Sequence, residues 1–66
     1  MFKFDFTRTE YDKIIYDAML NEELAQLLEY KIKGYSIVQI SMKMNMSEST
    51  VKKKIKILKK KILKVI

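Results

Sequence analysis

Eight lysines fall within the last fifteen residues of this chain: Lys52, Lys53, Lys54, Lys56, Lys59, Lys60, Lys61 and Lys64. A lysine ammonium is a compact, strongly hydrated cation, so the chemistry of such a run is attraction of anions, phosphates above all. The acids are kept away from it. Residues 30–66 hold eleven lysines against the single Glu48, a net +10, whereas residues 1–29 hold three basic groups and seven acids, a net −4. The total of +6 is therefore segregated, and one end of the molecule should face a polyanion, either nucleic acid or an anionic membrane.

Other chemistries lack their residues. Without Cys or His there is no thiolate or imidazole to bind a metal or attack a substrate. The one glycine, Gly34, cannot make a phosphate-cradling loop, and no carboxylate pair stands in a basic setting. The expectation is a protein that is not an enzyme and has no cofactor and no metal. No apolar run approaches the roughly 18 residues of a membrane span. The start, Met1-Phe2-Lys3-Phe4-Asp5, lacks the basic and apolar regions of a signal peptide, so a cytoplasmic location is expected.

The elements that must position the lysines can be read from caps and spacing. With 66 residues, 48% of them apolar and no proline, one all-α domain spanning 1–66 is expected, a small four-helix domain. Thr7-x-x-Glu10 is a capping box, with Phe6 and Tyr11 placed as a hydrophobic staple. It opens a helix over about 8–19 whose apolar face is Tyr11, Ile14, Ile15 and Ala18. Asn21 caps a second, over about 22–33, with Glu22 and Glu23 favourably placed in its first turn and Gly34 as its stop. Ser36 caps a third over about 37–44, with Ile37, Ile40 and Met44 inward. Asn45 suits a left-handed turn, and Ser47 caps a long fourth helix over about 48–64. Residues 1–6 read as an arm whose phenylalanines (Phe2, Phe4, Phe6) pack on the helices.

A short helix, a brief turn at Asn45 and a second capped helix make a helix-turn-helix, with the small Ser41 where the two helices cross. The pattern Gly34, Ser36, Ile40, Ser41, Met44, Met46, Ser47, Thr50, Val51 and Lys52, continued by Ile55, Leu58, Lys59-Lys60-Lys61 and Ile62, resembles the motif shared by LuxR/GerE-type regulators and region 4 of bacterial sigma factors. The resemblance covers about residues 21–62. It departs from LuxR-type domains in lacking a break after the recognition helix, and from sigma factors in lacking a −10-binding region. What it implies is a free-standing sigma-region-4-like module that binds double-stranded DNA and regulates transcription. It also implies a second class of function, contact with RNA polymerase or a sigma factor.

With Val51, Ile55, Leu58 and Ile62 turned inward, a wheel at 100° per residue turns Ser49, Lys53, Lys56 and Lys60 outward, flanked by Lys52. Ser49, Lys52, Lys53 and Lys56 are the candidates for base edges, since the first turns of a recognition helix lie deepest in the major groove. Ser47 and Thr50 complete that first turn. Tyr35 and Ser36, at the start of the third helix, are candidates for phosphate contact. Lys43, Lys54, Lys59 and Lys60 would add sequence-independent attraction. Bland roles stand beside these: Ser36 and Ser47 are first of all N-caps, and the five methionines fill core gaps. A basic amphipathic helix over 47–66 could also lie on a membrane surface, but the acidic, well-capped first half argues against a membrane peptide.

Ile62, Leu63, Val65 and Ile66 exceed what a small core needs, and the 4-3-4-3 spacing from Val51 to Val65 is a short heptad pattern. Either these four residues join two copies in a homodimer, or they fold back onto the first helix and the phenylalanine arm.

Overall fold

The computed structural model describes residues 4–66. It is an all-α domain of four helices: α1 (Arg8–Asp17), α2 (Glu22–Ile32), α3 (Ile37–Met44) and α4 (Glu48–Leu63). Each begins where a side-chain oxygen captures an otherwise unpaired amide. Thr7, Asn21, Ser36 and Ser47 are the four N-caps, all with extended backbone, and each accepts from the amide three residues on. Thr7 and Ser36 form full capping boxes with Glu10 and Gln39.

The three connections share one backbone design. Met19, Gly34 and Asn45 lie at positive φ, 53°, 85° and 58°. In each case the next amide reaches back five residues: Leu20 to Ile15 at 3.1 Å, Tyr35 to Tyr30 at 3.1 Å and Met46 to Ser41 at 2.9 Å. This is the Schellman closure of a helix end. Leu20, Tyr35 and Met46 then pack against the core, and the following residue is the next N-cap. Glycine adopts this conformation freely and asparagine tolerates it, whereas methionine is held in it against its preference. That left-handed Met19 ends α1 two residues short of the expected 8–19.

The apolar stripes of α2 (Leu24, Leu27, Leu28) and α4 (Val51, Ile55, Leu58, Ile62) form the centre of the core. α1 adds Tyr11 and Ile14 against α2, and α3 adds Ile40 against α4. Leu27, Leu28, Ile40, Val51, Leu58 and Ile62 are almost completely buried, each worth about 1.5–3 kcal/mol relative to exposure. The buried Ser41 allows α3 and α4 to approach and donates its hydroxyl to the Val38 carbonyl at 2.7 Å, so it leaves no orphan polar group.

A hydrogen bond ties the first two helices together. Tyr11 Oη donates to the Ala25 carbonyl at 3.1 Å. Burial pushes the Tyr11 hydroxyl above its ordinary pKa of 10.0; Glu29 adds to the rise, Arg8 opposes it and Asp12 reinforces it. Phe4 and Phe6 pack on the core, with the Lys31 ammonium 5.6 Å from the Phe4 ring, as expected of an arm. Phe2 lies outside the described residues. No helix among the described residues is long and apolar enough to cross a membrane.

Candidate nucleic-acid interface

The site is built on α3 and α4, and its geometry starts at the turn between them. Asn45 reverses the chain at φ 58°, ψ 44°, Met46 anchors the turn in the core, and Ser47 opens α4. Ser47 Oγ accepts from the Thr50 amide at 3.2 Å and donates to Thr50 Oγ1 at 2.9 Å. Ser47 and the half-buried Thr50 thus serve each other first, and they set the pitch of the turn that presents the exposed Ser49.

Beyond that turn α4 shows two opposite faces. Val51, Ile55, Leu58 and Ile62 are buried, while Lys52, Lys53, Lys56 and Lys60 are exposed. No ion pair among the described residues involves any of those four lysines. Ser49 to Lys60 spans about 16 Å at 1.5 Å per residue.

At the start of α3, Ser36 and Gln39 satisfy each other: the Ser36 amide donates to Gln39 Oε1 at 2.9 Å, and the Gln39 amide donates to Ser36 Oγ at 3.2 Å. Tyr35 is half-buried and stacks on Tyr30, with centroids 5.4 Å apart and planes inclined by 26°. Tyr30 Oη accepts from Gln26 Nε2 at 3.1 Å. The Lys43 ammonium stands 5.1 Å from the centre of the Tyr35 ring. Tyr35 is therefore a platform for Lys43, and its ring is already engaged. Neither the Gln39 partnership nor Tyr30 entered the expectations, although Ser36-x-x-Gln39 carries the capping-box spacing openly.

Lys54, a candidate for sequence-independent attraction, is half-buried and paired with Glu23 of α2, because its position beside the inward stripe turns it towards that helix. Lys59 is half-buried as well. Of the four apolar residues that end the chain, Ile62 is fully buried. Val65 and Ile66 line a cleft with Phe6, Glu10 and Ile14, so the end of the chain lies against α1. Of the four residues only Leu63 and Ile66 stay largely exposed, at 60% and 69%.

Among the described residues no group of three or more acids could hold a metal ion. No family model matches this chain, and no curated protein or solved structure matches it.

Proposed function

We propose that this chain binds duplex DNA as a small transcription regulator or sigma-like accessory factor, with α4 as its recognition helix in the major groove. The observation that carries the reading is the row Ser49, Lys52, Lys53, Lys56 and Lys60: exposed, cationic apart from the serine, and held opposite a fully buried stripe on the second helix of a capped pair. A one-signed face of this kind adds nothing to the fold, since its lysines repel one another. Phosphates would relieve that repulsion and release counterions. Ser36, Tyr35 and Lys43 add a second strand contact in this reading, with Lys43 already posed above Tyr35. The α4 stripe is consumed by the core, which leaves no continuous apolar face to lie on a lipid surface. Titration of a fluorescent duplex across a range of salt concentrations tests the reading: binding should weaken steeply with salt.

A protein-contact reading has its own observation. Val38 and Met42, one turn apart on α3, are 51% and 76% exposed, and a phosphate backbone offers nothing to cover them. They suit an apolar contact with RNA polymerase or a sigma factor, on a helix that need not compete with the α4 row for DNA. Replacing both by serine should leave DNA affinity intact and abolish that contact.

A further inference from the structure

Ile57 is 47% exposed on a helix whose other apolar residues, apart from Leu63 at its last position, are buried. At roughly 100° per residue it lies about 50° from the line opposite the Val51–Ile62 stripe, as far round as Lys56 does on the other side. Ile57 therefore belongs to the cationic face and not to the core. Its neighbours on the helix surface are Lys53, four residues before it, and Lys60 and Lys61, three and four residues after it. An isoleucine set among ammonium groups leaves apolar area in water that a further lysine would not. A ligand that covers this spot must be anionic around it and apolar at one point.

We infer that Ile57 is a specificity-determining residue that reads the 5-methyl group of a thymine in the major groove; this rests on the DNA-binding reading above. The thymine methyl is the apolar group that base edges present in that groove, and it stands between two strands of phosphates. Duplex DNA thus offers both parts of the required ligand, the charge for the lysines and the methyl for the isoleucine. The lysines cannot supply this discrimination, because an ammonium donates to guanine O6 and N7 or to a phosphate and gains nothing from a methyl. Isoleucine is branched at Cβ and stiff at χ1, so its own methyl groups are held in place for the contact. The contact takes apolar area on both partners out of water, which favours thymine over any base that lacks the methyl.

The test removes the methyl from the DNA and the side chain from the protein, separately and together. Selection from a random duplex pool with wild type gives the preferred site. Each thymine of that site is then replaced by deoxyuridine, which lacks the methyl and keeps the same hydrogen-bonding edge. At one position the replacement should weaken wild type about three- to tenfold. Ile57→Ala should bind the thymine duplex about as weakly as wild type binds the deoxyuridine duplex, and should no longer distinguish the two. Its salt slope and melting temperature should stay close to those of wild type, because an exposed position of this kind carries neither phosphate contact nor core packing. Ile57→Val, still branched at Cβ, should keep most of the discrimination. A pool that yields no preferred site, a wild type indifferent to every replacement, or an Ile57→Ala variant that still distinguishes thymine from deoxyuridine overturns the inference and leaves the DNA-binding reading standing. If no duplex is bound even at low salt, both fall together.

Discussion

In α1 and α2 most charged side chains have work within the protomer. Glu10 closes the Thr7 cap, Arg8 meets Asp12 at 3.7 Å, Lys33 meets Glu29 at 3.5 Å, and Glu23 reaches across to Lys54. In α4 the pattern reverses. Lys54 is paired, but Lys52, Lys53, Lys56 and Lys60 face outward with no acid to meet them. Exposed pairs and caps of the first kind contribute from a few tenths to about 1 kcal/mol each and explain themselves as structure. A one-signed face opposes folding slightly, so it adds nothing to the stability of the protomer. The contrast separates charge that builds this fold from charge that the fold displays.

The sharpest way to break that contrast is to attack the shared core. Ile40→Ala and Ile62→Ala should each cost about 2–5 kcal/mol, a large part of a small domain's stability, whereas Leu63→Ala should stay within about 0.5 kcal/mol. Urea titration followed by circular dichroism measures all three. An Ile62→Ala variant as mild as Leu63→Ala would mean that the end of α4 is not packed as described.

Within the displayed charge, position should matter. Lys53→Ala should cost about 1–3 kcal/mol of binding and relax preference at one base pair. Lys60→Ala should weaken all sequences alike and reduce the salt slope by about one. Competition among duplexes substituted one base pair at a time checks this, and identical behaviour of the two variants would refute the placement of the recognition face.

The turns sharpen the comparison further, since one backbone closure carries Met19 in the acidic half and Asn45 in the basic half. Met19→Gly should stabilise by about 1 kcal/mol, and Asn45→Ala should destabilise by a similar amount, because alanine lacks asparagine's tolerance of that conformation. Thermal melts of both variants, read against wild type, decide it.

How far the sequence could be read follows the same lines. All four helix starts were legible, because Thr7, Asn21, Ser36 and Ser47 announce themselves chemically. Two of the three stops were as well, at Gly34 and Asn45. Met19 was not, since methionine has no leaning towards a left-handed backbone and the packing of Leu20 imposes it. The outward lysines followed from helical periodicity alone. The burial of Ile62 did not, because a heptad looks the same whether the surface that covers it comes from the same chain or from a second copy. The Tyr30–Tyr35 stack and the Glu23–Lys54 pair depend on how helices cross, which spacing within one helix does not encode.

A smaller effect concerns Tyr11, which joins α1 to α2. Its pKa is raised in the folded state, so its contribution is intact below pH 10.0 and declines as pH rises from there through the folded value. Tyr11→Phe removes the bond to Ala25 and should cost about 0.5–1.5 kcal/mol at neutral pH. The gap between wild type and variant should then narrow above pH 10.0. Paired denaturant titrations at neutral and alkaline pH measure it, and a constant gap would mean that the hydroxyl is not held as described.

The central claim is that the unpaired face of α4 is there for a polyanionic duplex, and the salt dependence of DNA binding tests it most directly. With three to five phosphates neutralised, the logarithm of affinity should fall against the logarithm of salt with a slope of roughly −3 to −5. No binding at low salt, or binding indifferent to salt, would contradict the account.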